Sequence, residues 1–290
     1  MRPALDALLG VLDLEYIEEN IFRGTNRNLG SKRVFGGQVL AQALVAAYRT
    51  LEVERVLHSL HAYFILPGDI EAPLVYDVDR IRDGGSFTTR RVRAIQHGAP
   101  IFNMSASFQR AETGKEHQTA RPDLPGPDGL TSEIDRVRAV ADRIPEPLRA
   151  PYTQDRPFEF RPVDPVDAFE PEARPPHHAI WLRAVDRLPD DPAVHQSLLA
   201  YASDHGLLLT ALRPHRLSFL QPDLQLASLD HAMWFHHPFR ADEWLLYVLD
   251  SPSASGGRGF TRGAVYQGDT LVASVVQEGL MRLRSEDRRR

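Results

Sequence analysis

The 290-residue chain can bury a large core as one big domain or two ordinary ones, and its 42% hydrophobic and 25% charged residues are those of a folded globular protein. A net charge of −5 and a pI near 6.2 leave no basic footprint for nucleic acid or an anionic membrane. Without cysteine there is no disulfide, thiol nucleophile or Cys-ligated metal, which fits a cytoplasmic protein, and with Lys32 and Lys115 as the only lysines there is little scope for Schiff-base chemistry.

Residues 3–20 are amphipathic but carry Asp6, Asp13, Glu15, Glu18 and Glu19, so they predict a surface helix rather than a signal segment. No run approaches the roughly 18 apolar residues of a membrane span. An opening strand is expected near 18–24, then a small-residue helix over 35–47 entered through Gly36 and Gly37. Apolar strands follow at 56–66, 74–82, 86–96 and 100–109. Residues 112–151 are rich in proline and charge and hold one predicted helix, 132–144, opened by a Ser132/Asp135 capping pair. The second half then repeats the first: strands at 155–163 and 179–185, a helix, and strands at 226–235, 243–249, 259–267 and 270–281. The triplet 288–290 reads as a frayed tail.

Each half is thus expected to be one long helix followed by a four-stranded antiparallel meander that wraps around it. The fold class is α+β, with two tandem repeats joined edge to edge in one continuous sheet, which hides two of four strand edges. The expected divisions are 1–111, a linker at 112–151, and 152–290.

One carboxylate is not explained by fold-making. In the second-half helix Asp191 suits the N-cap and Pro192 the first turn, while Val194, Leu198 and Ala202 form an apolar stripe. Asp204 lies beside that stripe, in a column with Ser197 and Ala200. If Gly206 ends the helix, the aspartate also sits at the negative end of the macrodipole, a cost of roughly 0.3–1 kcal/mol. Its counterpart in the first-half helix is apolar, at or beside Val45. Ser228 and Gln277 likewise interrupt apolar strands, and the counterpart of Gln277 is Phe108 or Gln109. His61 and His231 look repeat-equivalent, which favours a shared packing role. His177-His178 and His236-His237 lack regularly spaced carboxylates, so no metal site is expected. The chain contains no G-x-S-x-G elbow, Walker A sequence or H-E-x-x-H motif.

Several long motifs carry a resemblance across nearly the whole chain: Arg33-Val-Phe-Gly-Gly-Gln38, His58-Ser-Leu-His-Ala-Tyr-Phe64 with Pro67-Gly-Asp69, Ser107-Phe-Gln109, Asp230-His-Ala-Met-Trp-Phe235 and Val276-Gln-Glu-Gly279. With them the sequence resembles the acyl-CoA thioesterase II family. The resemblance implies a double-hotdog fold, an acyl-CoA substrate of medium to long chain, no cofactor, a homo-oligomer, and a catalytic trio that falls on Asp204, Ser228 and Gln277. Bacterial members carry threonine at the hydroxyl position; serine keeps the oxygen and lacks the methyl. The implied chemistry is hydrolysis by water that Asp204 activates, with Ser228 and Gln277 orienting it. The oxyanion needs N–H donors, for which the helix start at Gly36 and Gly37 is a candidate, and close backbone approach is an equal structural reason for those glycines. A thiolate, with a pKa near ~8.5, leaves without a strong acid. The alternatives are a non-enzymatic acyl-CoA-binding protein, which needs no polar trio, and an enoyl-CoA hydratase. The hydratase would want an Asp/His pair, but His205 points about 100° away from Asp204 on a helix.

Overall fold

A computed structural model describes residues 2–28 and 33–284; the tail at 288–290 lies outside them. Leu5, Leu8 and Leu12 recur at helical spacing and lie buried on one face of α1 (Arg2–Leu12). The helix expected over 3–20 stops there. Residues after it hydrogen-bond across a turn at Asn20 (φ 64°), giving the hairpin of β1 (Glu15–Glu18) and β2 (Ile21–Gly24) instead of one strand.

The first half continues as α2 (Gly36–Tyr48), β3 (Val56–Phe64), β4 (Leu74–Asp83), β5 (Phe87–Gln96) and β6 (Ala99–Gln109). Two short helices follow, α3 (Glu133–Ala139) and α4 (Glu146–Thr153). Ser132 caps α3 by accepting from the Asp135 amide at 3.2 Å, as its spacing implied, but α4 was not foreseen and crosses the expected division at 151. The second half comprises β7 (Phe158–Pro162), β8 (His177–Ala184), α5 (Pro192–Ser203), α6 (Leu209–Leu212), β9 (Leu224–Ser228), β10 (Asp230–Phe235), β11 (Leu245–Ser255), β12 (Arg258–Gln267) and β13 (Thr270–Leu283). Among the described residues no helix is long and apolar enough to cross a membrane.

Among the described residues thirteen strands form one antiparallel sheet in the order β1-β2-β4-β5-β6-β3-β10-β13-β12-β11-β8-β7, with β9 also on β13. The architecture is the α+β double hotdog, each repeat curling its strands around a helix. The strands do not run as a simple meander. In each repeat the strand after the helix pairs with the last strand, β3 with β6 and β10 with β13, and not with the next in sequence. That crossing brings β3 and β10 to the middle, where Asp230 faces Tyr63 and Trp234 faces Ser59, and so fuses the repeats into one sheet.

Register slips mark equivalent places in the two repeats. β5 slips on β6 at Ala94/Ile95, and β12 on β13 at Val265/Tyr266. β3 slips on β6 between Leu57 and Ser59, and the strand facing β13 breaks between Ser228 and Asp230. Aligning the slips superposes Leu57 on Ser228 and Ala106 on Gln277, which corrects the expected partner Phe108 or Gln109. The same alignment sets His231 against Leu60, not His61. The two histidines point to opposite faces: His231 is fully buried, whereas His61 is exposed.

Helices α2 and α5 lie together in the concavity. Leu40, Leu44, Leu198 and Leu199 are fully buried there, each contributing about 1.5–3 kcal/mol relative to exposure. Close contact needs Gly37, since a Cβ at that position would lie 2.3 Å from the Tyr201 carbonyl oxygen. The linker covers the outer face of the second repeat: Leu124 and Leu130 pack around Trp181, Leu246 and Tyr266, and the Trp181 indole donates to the Pro125 carbonyl at 2.8 Å.

Candidate active site

Asp204 is the C-cap of α5, and Gly206 (φ 76°) turns the chain away. The end-of-helix penalty expected for its carboxylate is opposed by a second helix. The antiparallel packing of the two helices brings it to the opposite pole of the neighbour. Oδ2 accepts from the Gly37 amide at 2.9 Å, in the first turn of α2, whose own N-cap residue Phe35 offers no side-chain acceptor. Asp204 thus caps a helix other than its own. A Cβ on Gly36 would stand 2.9 Å from the same oxygen, so the bare Gly36 leaves room for the carboxylate. The Gly37 amide, expected to receive an oxyanion, is engaged in holding the aspartate.

The other carboxylate oxygen, Oδ1, accepts from Gln277 Nε2 at 3.0 Å. Gln277 is fully buried on β13, and its Oε1 has no partner among the described residues. Beneath it, Thr261 donates to the Gln277 carbonyl at 3.1 Å. The site therefore presents a fixed carboxylate beside an unpaired amide oxygen.

Ser228 reaches this face through a β-bulge that the sequence reading missed. Residues 226–235 were expected to be one strand, in which Ser228 would share a face with Ala232 and Trp234. In the structure Ser228 faces Gly279 while Ala232 faces Val276, so three residues of the bulged strand oppose two of β13. The extra residue inverts the alternation, and Ser228 joins the face of Gln277, His231 and Met233, one diagonal step from Gln277. Asp230 holds the bulge: its Oδ1 accepts from the Glu278 amide at 2.6 Å. Burial raises the Asp230 carboxyl above its ordinary range, with the Glu278 amide opposing. No side-chain hydrogen bond of Ser228 to Asp204 or Gln277 is formed among the described residues; what the structure brings together is the Asp204–Gln277 pair, with Ser228 adjoining through the sheet.

Three further polar residues fasten the helix end that carries the aspartate. The buried Ser203 hydroxyl lies 3.0 Å from His231 Nε2, and Tyr247 Oη donates to the Ser203 carbonyl at 3.1 Å. His205 turns the other way, as its helical position implied: it bonds Glu133 Oε2 at 2.7 Å and stacks on Phe160 with ring centres 4.0 Å apart. Burial pushes the Glu133 carboxyl up, but His205 and Arg156 outweigh it and hold it at about 2. A cleft of about 230 Å³ opens beside this helix end, lined by Phe35, Phe158, Phe160 and Tyr201, with Arg27 and Arg156 at its border. A larger, more open groove of about 570 Å³ between the loops at 168–171 and 216–222 contains none of the candidate residues.

The first repeat is an internal control. Counting both helices from their N-caps, Phe35 and Asp191, places Tyr48 opposite Asp204, one turn from the expected Val45. The equivalents of Asp204, Ser228 and Gln277 are then Tyr48, Leu57 and Ala106. The Tyr48 hydroxyl donates to Gln196 and accepts from the Leu57 amide, and the buried Arg90, opposite Ala106, bonds Thr50. Packing and internal hydrogen bonds fill the place that the carboxylate and glutamine occupy in the second repeat.

Residues 148–280 match the family model for acyl-CoA thioesterase, and residues 25–109 match the acyl-CoA thioesterase N-terminal domain. The chain is 42% identical to acyl-CoA thioesterase 2 of Haemophilus influenzae, with 97% of this chain and 99% of that one covered. Among solved structures, acyl-CoA thioesterase II TesB2 from Mycobacterium marinum is 44% identical at a TM-score of 0.78, covering 96% of this chain and 99% of that one. A hot dog fold protein from Alicyclobacillus acidocaldarius superposes at a TM-score of 0.77 with 21% identity, covering 96% and 99%, a likeness of fold alone.

Proposed function

The chain belongs to the acyl-CoA thioesterase family and hydrolyses acyl-CoA thioesters, and from that premise we propose that Asp204 is its general base, acting on a water held by Gln277 and Ser228. The observation that carries the reading is the Asp204–Gln277 pair: the amide spends its N–H on the carboxylate and leaves Oε1 unpaired beside it. A water lying between them would give one hydrogen to Asp204 and the other to Gln277, so that its lone pair faces the thioester carbon. Water oxygen bonds to carbon, its proton passes to Asp204, and the C–S bond breaks to release the CoA thiolate, which takes up that proton. For the oxyanion, the Gly36 amide is the remaining donor at the positive end of α2, since Gly37 is engaged by Asp204. The reading includes a medium- to long-chain acyl group, accommodated by the aromatic cleft, and self-association in the cytoplasm. The linker at 112–151 joins two repeats that act as one unit.

The purified protein is expected to release CoA from acyl-CoAs of increasing chain length without added metal or cofactor, with kcat/KM highest above short chains. Thiol release measured with a chromogenic disulfide checks this. A preference for acetyl-CoA, or activity abolished by EDTA and restored by zinc, would refute it.

Replacing Ser228 separates its hydroxyl from its size. Ser228→Thr keeps the oxygen and adds a methyl that a strand position accepts, and its kcat should stay within about tenfold of wild type. Ser228→Ala removes the oxygen and should lower kcat further than that. Thermal denaturation run in parallel distinguishes packing effects; an active alanine variant and an inactive threonine one would take Ser228 out of the catalytic set.

A further inference from the structure

We infer that His231 is a positioning residue of the hydrolytic site: by donating from Nε2 to Ser203, it pins the last turn of α5 to the sheet and thereby sets where Asp204 stands. The inference rests on the reading of Asp204 and Gln277 above.

The hydroxyl of Ser203 has one hydrogen and three neighbours able to take it: the Ala200 carbonyl at 3.0 Å, the weak acceptor Met233 Sδ at 3.4 Å and His231 Nε2 at 3.0 Å. We assign the hydrogen to the carbonyl, in the last turn of α5, so that the lone pair accepts from His231 Nε2–H, the tautomer this assignment requires. Ser203 immediately precedes Asp204 in the chain. Its carbonyl is held as well, by Tyr247 from β11, so the last residue of the helix is fastened to the sheet at two points. The pairing of β10 with β13, Met233 opposite Val275, sets His231 on the core face that Gln277 shares. Helix end and glutamine are thus fixed by the same stretch of sheet, and the 3.0 Å contact between Asp204 and Gln277 depends on both.

Burial holds the imidazole down at about 4, against the opposing pull of Asp204, so it is neutral at neutral pH and carries one proton. With that proton on Nε2, Nδ1 is a bare acceptor, and it has no partner among the described residues. A fully buried polar atom without a partner is destabilising, and a purely structural position avoids that by using an apolar residue. The first repeat does that. The equivalents of Ser203 and His231 there are Ala47 and Leu60, both fully buried. Helix and sheet pack in that repeat without the polar pair, and that repeat also lacks the aspartate and the glutamine. The polar tie occurs only where a carboxylate must be aimed.

The test borrows the residues of the first repeat. His231→Leu should retain the wild-type melting temperature or exceed it, whereas Ser203→Ala, which leaves the buried His231 Nε2–H without its acceptor, should lower it modestly; in both, KM should change little while kcat falls about 10- to 100-fold, as expected of a misplaced base. The double variant should be no slower than the worse single one, because one contact is lost in each. His231→Gln, whose amide N–H can still reach Ser203, should recover most of the turnover. If His231→Leu and Ser203→Ala are folded and turn over at the wild-type kcat, the tie does not position the base and the inference falls. It also falls if the glutamine variant is as slow as the leucine one. Should His231→Leu fail to fold, Ser203→Ala alone decides between these results. The Asp204→Asn enzyme tests the underlying reading separately: an active Asp204→Asn overturns that reading, whereas an inactive Asp204→Asn beside a fully active His231→Leu overturns only the inference.

Discussion

Replacing Asp204 with asparagine is expected to lower kcat by about 10²–10⁴, the usual worth of a general base, and to leave KM within a few-fold. The substitution keeps the shape of the side chain. Asparagine Oδ1 can still accept from the Gly37 amide, and Gln277 can turn its amide over so that Oε1 accepts from the new N–H. Lost are the negative charge and the capacity to take a proton. The stability effect has a definite sign. From the sequence, a carboxylate at the end of its own helix should be relieved by neutralisation. In the structure the same carboxylate caps the first turn of α2, where a negative charge is favourable. The variant should therefore be less stable by up to about 1 kcal/mol, the ordinary size of such a charge–dipole interaction. Single-turnover kinetics with a denaturant melt would check both. A turnover near wild type would mean that another group activates water, and a melting temperature above wild type would mean that the α2 cap is not what Asp204 supplies.

Gly37→Ala should be the most destabilising of the small substitutions considered, and it should also impair catalysis. Alanine is ordinarily better than glycine in a helix by about 1 kcal/mol. At this position the added methyl would lie 2.3 Å from the Tyr201 carbonyl oxygen and 2.6 Å from the Phe35 ring, so α2 and α5 must move apart. Overpacking of this kind costs about 1–3 kcal/mol, which exceeds the gain in propensity. Separating the helices also draws the Gly37 amide away from Asp204, so kcat should fall along with stability. Gly10→Ala is the matched control: it lies within α1, has nothing within 4 Å of its would-be Cβ, and should be neutral or stabilising by up to about 1 kcal/mol. Chemical denaturation of the two variants should give opposite signs. A Gly37→Ala protein as stable as wild type would contradict the close contact between α2 and α5.

The sequence by itself determined the elements whose signal is local. Helical spacing of small and apolar residues, alternation in the strands, and a capping serine followed three residues later by Asp135 gave α2, α5, α3 and most strands to within a few residues, because these patterns depend only on neighbours along the chain. Internal repetition implied a double fold, and the isolation of Asp204 and Gln277 in apolar surroundings marked them as residues that packing does not require. Ser228 was legible chiefly through the family resemblance, since a serine in a strand carries no distinctive physical signal.

Only the tertiary structure decided how these pieces meet. The crossing that puts β3 beside β6 and β10 depends on which strand edges remain to be paired, a property of the assembled sheet. The bulge at Leu229 leaves no mark in the periodicity of 226–235, yet its single extra residue decides whether Ser228 faces Gln277 or the opposite side. Asp204 changed from an apparent liability at one helix end to the cap of another because α2 and α5 lie antiparallel, with the positive pole of one against the negative pole of the other. A carboxylate's environment is set by every pole and donor within a few ångströms, and in this fold the donors nearest Asp204, Gly37 and Gln277, come from 167 residues before it and 73 after it in the chain.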